Sequence, residues 1–197
     1  MRRSADDTQY ALLAGHALGL GRRPVLFGIS GAVGIGKSTA AAIIAAELER
    51  RGAAAEVVAT DGFLLPTAEL DQRGLGLRKG FPESYDAELL DDVLQRLRRG
   101  EPGVSVPIYS HDIYDRLPGP GRVVRAADVV IVEGVNALQA PAVDHLDVAL
   151  YLEADDADLR RWFAVRFLDL CAEAAADEAS FYRRFVGMDE RQLRDLA

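Results

Sequence analysis

The eight residues Gly31-Ala32-Val33-Gly34-Ile35-Gly36-Lys37-Ser38 constrain this chain more than any other stretch. They satisfy G-x-x-x-x-G-K-[ST] at every fixed position. They also sit in the setting that this spacing requires. Before them, Val25-Leu26-Phe27-Gly28-Ile29 is a continuous apolar run, the mark of a strand buried on both faces. After them, residues 38–51 are strong helix formers stopped at Gly52. Glycines here let successive N–H groups turn towards an anion with no Cβ in the way. The helix N-terminus adds partial positive charge. Gly31, Gly34, Gly36, Lys37, Ser38 and Thr39 are therefore the expected nucleotide contacts. Lys37 reaches the β- and γ-phosphates and Ser38 offers its hydroxyl to Mg²⁺.

The rest of the chain repeats the alternation of strand and helix. Short apolar strands are predicted at 56–59, 128–133 and 148–152, and helices at 4–19, 86–99, 157–172 and, as one or two charged segments, 178–196. A helical turn is expected near 67–72, and residues 101–122 read as loop. This order predicts an α/β fold, a P-loop NTPase-type parallel sheet with helices on both faces. No linker or repeat divides it, so residues 1–197 read as a single domain, with 1–22 as a short N-terminal helical extension.

Composition narrows the partners. The net charge of −8 argues against a general nucleic-acid binder. The one cysteine, Cys171, excludes an intramolecular disulfide and fits a reducing compartment. It lies in an apolar helical stretch and reads as a packing residue. Met1-Arg2-Arg3 is followed by Asp6 and Asp7 rather than an apolar run, unlike a signal peptide. No uncharged apolar stretch approaches the roughly 20 residues of a membrane helix. A soluble, cytoplasmic protein is expected.

Several further residues carry chemistry. Glu133 closes the strand 129–132, where parallel sheets place their ligands, and can hold Mg²⁺ with Ser38. Asp61 is expected to end the second strand, which should lie beside the phosphate-loop strand. It can accept a hydroxyl proton, help hold Mg²⁺, or simply cap the turn before Gly62. Lys79-Gly80-Phe81-Pro82-Glu83-Ser84-Tyr85-Asp86 leads into a helix that Ser84 or Asp86 can cap. Pro107-Ile108-Tyr109-Ser110-His111-Asp112-Ile113-Tyr114-Asp115 crowds tyrosines, a histidine and carboxylates into one loop, a mixture suited to a polar, partly apolar ligand.

The ordered set GISGAVGIGKST, TDGF, KGFPESYD, P-x-YSHxxYD and VIVEGVNAL strongly resembles prokaryotic type I pantothenate kinase, over roughly residues 25–187. The resemblance implies an ATP- and Mg²⁺-dependent cytoplasmic homodimer that phosphorylates the primary hydroxyl of pantothenate, the first step of coenzyme A biosynthesis. It implies Asp61 as catalytic base, Lys79, Tyr109, His111, Tyr114 and the position of Phe163 as the acceptor pocket, and Arg166 beside the transferring phosphate. Lys37 and Arg166 would neutralise developing charge.

The chain also departs from that pattern. Phe163 stands where the family usually has Tyr, Ala42 where it has an Arg associated with coenzyme A feedback, and Leu170 where it has an aromatic. The N-terminal region is shorter than the family's, and nothing here matches the family's later strand and helices, which supply an Asn to the pocket. Two alternatives therefore stay open: a related P-loop kinase acting on a nucleoside or sugar, and a shortened ATP-binding protein without kinase activity.

Overall fold

The computed structural model describes residues 5–173, 180–185, 187, 188 and 191. In chain order the elements are α1 (Ala5–Gly19), β1 (Val25–Gly31), α2 (Lys37–Arg50), β2 (Ala55–Ala59), α3 (Thr67–Gln72) and α4 (Ala87–Arg98). Then come β3 (Val104–Val106), β4 (Tyr109–Ser110), β5 (Asp115–Arg116), β6 (Arg122–Val124), β7 (Val129–Glu133), β8 (Val148–Leu152) and α5 (Asp156–Glu173).

The central sheet is parallel, in the order β2-β7-β1-β8. Each strand's alternation feeds two cores. Val25, Phe27 and Ile29 of β1 join Val129 and Ile131 of β7 in packing against Ala14 and Ala17 of α1 and Ile44 and Leu48 of α2. Leu26, Val130 and Val132 point the other way, to Leu90, Val93, Leu94 and Leu97 of α4. Helices thus cover both faces, as the apolar runs require.

The expectation that the second strand adjoins β1 is overturned: β7 lies between them. Every residue of β1 and β7 is buried, so these two take the centre. β2 alternates in burial and ends exposed at Ala59, the profile of an edge strand. Asp61 does not end β2 either. It lies two residues beyond, in a 3-10 turn spanning Thr60–Phe63.

Residues 101–122 hold more order than a loop. β3 pairs with β6, and β4 with β5, in two antiparallel ladders. Strands of two or three residues are too short to show a period. Asp86, not Ser84, caps α4: its Oδ1 accepts from Leu89 N at 3.1 Å. Of the helical segment expected at 178–196, a 3-10 turn at Phe181–Phe185 is described, and the rest lies outside the described residues. Cys171 is buried and packs with Tyr182, and burial pushes its thiol up. Among the described residues, no helix is long and apolar enough to cross a membrane.

Candidate active site

The loop between β1 and α2 turns through positive-φ glycines. Gly36, at φ 95°, caps α2 from the left-handed region. Gly34, at φ 79°, lies against α5, since an added Cβ would come within 3.6 Å of the Phe163 backbone nitrogen. Lys37 folds back on its own loop, donating to Gly31 O at 3.1 Å and Ala32 O at 2.9 Å. Burial pushes its ammonium down from 10.5, while Glu133 and Asp61 pull it up and Arg166 adds to the lowering.

Register places Glu133 beside Ala59 of β2 and Ile29 of β1, at the carboxyl edge of the sheet. Glu133 is 8% exposed, and its carboxylate accepts from Ser38 Oγ at 2.9 Å. Burial raises its pKa above 4.5; the Ser38 hydroxyl opposes that, and Asp61 adds to it. Gly134 has no room for a side chain, because a Cβ there would meet Thr60 Oγ1 at 1.7 Å. That contact brings the Asp61 turn directly onto the Glu133 loop. Among the described residues, no group of three or more His, Cys, Asp or Glu could hold a metal by itself. One hydroxyl and one carboxylate are hard oxygen donors that suit a cation keeping its waters and phosphate oxygens, as Mg²⁺ does.

Two adjoining cavities contain the predicted residues. The larger, about 520 Å³, is lined by Gly34, Gly36, Lys37, Ser38, Thr39 and Glu133 among others. The other, about 300 Å³, takes in Lys79, Gly80, Tyr114, Phe163, Phe167 and Tyr182. Asp61, Tyr109, His111 and Arg166, with Val33 and Val135, line both and form the wall they share. Gly31 is not among the lining residues; its carbonyl instead holds Lys37. His111 Nε2 stands 3.9 Å from Asp61 Oδ2. Burial lowers the imidazole's pKa below 6.5; Asp61 counters this and Arg166 reinforces it.

Lys79 has its side chain 4% exposed. Its ammonium donates to Thr67 Oγ1 at 2.8 Å and Tyr114 O at 2.5 Å, and lies 3.6 Å from Asp115 Oδ1. It also sits over the rings of Tyr114 and Tyr109, 4.8 and 5.3 Å from their centroids. Burial pushes it down from 10.5 and Asp115 pulls the other way. Tyr114 closes the β4–β5 hairpin at φ 54°, a conformation rare outside glycine, and this aims its carbonyl at the ammonium. From Tyr109 an edge-to-face chain of rings runs through Tyr114, Tyr182 and Phe167 to Phe185. Burial raises the Tyr109 and Tyr182 hydroxyls' pKa values.

Sequence reasoning missed some residues that line or support these cavities. Tyr182 and Phe185 come from a segment read only as charged helix, although Phe181-Tyr182-Arg183-Arg184-Phe185 is unusually aromatic for a solvated face. Arg122 lines the larger cavity, held by Glu56 at 2.9 Å, and nothing in its neighbours signals that. Thr67 and Asp115 fix Lys79 from separate loops, a relation visible only once the chain is folded.

Residues 26–162 match the model of the phosphoribulokinase/uridine kinase family. The chain is 43% identical over 187 residues to a pantothenate kinase of Sorangium cellulosum, covering 90% of this chain and 61% of that protein. It is also 43% identical to one from Myxococcus xanthus, covering 88% and 59%. It therefore spans about three fifths of the length of these curated relatives. Among solved structures it resembles a proposed fructose transport system kinase from Silicibacter sp. TM1040, at 30% identity and TM-score 0.73, covering 95% of this chain and 94% of that one. A D-glycerate 3-kinase from Cryptococcus neoformans shares the fold, at 18% identity and TM-score 0.67, covering 98% and 88%.

Proposed function

This chain belongs to the phosphoribulokinase/uridine kinase family, and from that we propose that it transfers the γ-phosphoryl group of ATP to the primary hydroxyl of pantothenate. The single observation that carries the reading is the shared wall. A carboxylate and two cationic or ionisable groups, Asp61, His111 and Arg166, stand between a phosphate-binding cavity and a mixed aromatic-polar one. A phosphoryl acceptor must meet its donor at such a wall.

Asp61 orients the acceptor hydroxyl and takes its proton as the oxygen attacks phosphorus. Gly34, Gly36 and Thr39 present loop and helix-start amides to the phosphates, with Gly31 closing the loop behind them. Lys37 exchanges its loop carbonyls for phosphate oxygens, and Arg166 offsets charge on the transferring group. Ser38 and Glu133 would hold Mg²⁺. Bound there, the ion would neutralise phosphate charge and orient the leaving group. Lys79, Tyr109, His111, Tyr114 and Phe163 position the acceptor. Positioning and electrostatics supply most of the acceleration in this class. The pantothenate kinase names of the relatives support this acceptor. A cytoplasmic homodimer, with no nucleic acid or membrane partner, completes the proposal.

A second reading has its own support. The match to the proposed fructose transport system kinase covers 94% of that chain, against 61% of the Sorangium relative, and Phe163 lacks a hydroxyl. Coupled ADP release with pantothenate, fructose and uridine tests both. Stimulation by pantothenate alone is expected. Stimulation by fructose or uridine instead moves the acceptor to a sugar or nucleoside. Tight ATP binding with no stimulated turnover leaves a nucleotide-binding protein and ends the kinase reading.

A further inference from the structure

Asn136 lines neither of these two cavities. It follows β7 by three residues, on the loop that begins with Glu133 and Gly134. That loop is anchored at two points: Gly134 N donates to Ile29 O at 3.1 Å, and Val135 O accepts from Ser30 Oγ at 2.6 Å. From this anchored base Asn136 Nδ2 donates to Gly80 O at 2.8 Å. Gly80 is the neighbour of Lys79. Its own N–H donates to Ser84 Oγ at 2.9 Å, and Ser84 is fully buried and donates in turn to Phe81 O at 2.7 Å. The peptide units flanking Gly80 are thus held from both sides. Asn136 also meets the Tyr85 hydroxyl, which burial pushes up to about 12 and which lies close to Thr60, the residue before Asp61. One amide therefore touches the strap bearing Lys79 and, through Tyr85, the turn bearing Asp61.

We infer that Asn136 is a positioning residue for the acceptor site, tying the Lys79–Gly80 strap to the Glu133 loop so that the buried ammonium stays at the cavity wall. The inference rests on the acceptor role proposed for Lys79. Without the Gly80 tie, the strap keeps its local bonds, Gly80 N to Ser84 Oγ and Phe81 N to Arg78 O, but loses its link to the Glu133 loop, and the ammonium can leave the Thr67, Tyr114 and Asp115 oxygens for water.

The composition supplies a clean probe. Of 23 basic residues, only Lys37 and Lys79 are lysines. An acylating reagent specific for amines, followed by peptide mass spectrometry, therefore reads both halves of the site in the intact 197-residue chain. Asn136→Asp keeps the shape and removes the donor. The loss of one neutral hydrogen bond predicts that Lys79 labelling and the acceptor KM each rise about five- to tenfold. In the same variant, kcat, ATP affinity and Lys37 labelling stay within about twofold, the pattern of lost ground-state positioning. Tyr85→Phe keeps the ring and gives the same signs at smaller size, so the inference stays testable even where the Asn136→Asp variant misfolds. Unchanged Lys79 labelling in a folded variant overturns the inference, as does a parallel rise at Lys37 and Lys79 that reports general loosening. If the wild type phosphorylates neither pantothenate nor a sugar, the proposed function falls, while the labelling comparison still decides the role of Asn136.

Discussion

On the phosphate-loop side, consecutive residues between β1 and α2 present main-chain groups, whereas the proposed acceptor cavity is assembled from Val33 of that loop and from residues scattered between 61 and 185. The first device is local. Its geometry follows from glycine conformations and the start of a helix, and few tertiary contacts are needed to shape it. The second depends on supports from elsewhere: Thr67 and Asp115 hold Lys79, a strained Tyr114 aims its carbonyl, and α5 brings Phe163 and Arg166 over the loop. Each half is therefore vulnerable in a different place. Phosphate binding should respond mainly to changes in the loop and in the Glu133 and Arg166 side chains that face it, and acceptor binding also to changes well outside the cavity.

The sharpest break should come at the wall between them. Asp61→Asn removes the proposed base and keeps its shape, so turnover should fall about 10³-fold, within the usual range for general-base loss. ATP affinity, read by calorimetry, should stay unchanged. A loss of ATP binding in that variant would mean that the two halves are not separable. Next in size is Lys37→Ala. Removing a charge that the loop holds 2.9 Å from Ala32 O should weaken ATP binding about 10²-fold. Acceptor binding, measured by protection of Lys79 from acylation, should persist.

The same division explains what the sequence disclosed. The phosphate loop was legible because its chemistry lies in one run of residues with a strand before it and a helix after it. The buried strands were legible because β1 and β7 are apolar on both faces. The strand order was not, since nothing local in residues 55–59 records that β7, seventy residues later, will insert beside β1. The residues proposed for the acceptor were named from short motifs, yet the reasons for their positions lay in partners remote in sequence. Lys79 meets Asp115 of the β4–β5 hairpin from a loop more than thirty residues earlier, and Tyr182 reaches Tyr114 from beyond α5. Arg122 had no local signature at all. Local chemistry can be read from local sequence, and a cavity made by tertiary contact cannot.

Asp115→Asn probes that tertiary dependence from outside the cavity. Asp115 accepts from Thr67 N at 3.0 Å and faces the Lys79 ammonium. Burial opposes its ionisation, but the Thr67 and Arg116 N–H groups, the Thr67 hydroxyl and Lys79 hold its pKa below 3.8. Neutralising it leaves the buried ammonium without its anion. The acceptor KM should rise about fivefold, the scale of a partly exposed charged contact. ATP affinity should not move. An equal fall in ATP affinity would show that the supports of Lys79 also shape the phosphate side.

The smallest effect is also the most discriminating, because its sign depends on the ligand. Glu133 is buried, and its pKa is raised on folding above 4.5. Between 4.5 and its folded pKa, the native state therefore binds more protons at this group than the unfolded chain does. Its contribution to stability falls as pH rises through that window, and the full penalty is present above it. Glu133→Gln removes the charge but can still accept from Ser38 Oγ, so the free variant should be more stable than wild type near neutral pH. A gain of about 1 kcal/mol corresponds to roughly 2–4 °C in thermal midpoint for a chain of this size. The difference should shrink as pH falls and vanish below 4.5, where both forms are uncharged. Adding Mg²⁺ and ATP should reverse the order, since only the carboxylate can offset the cation's charge. A variant that gains no stability when free would show that the Ser38 and Lys37 contacts already compensate the buried charge. A variant stabilised by Mg²⁺ and ATP as strongly as wild type would remove Glu133 from the metal site.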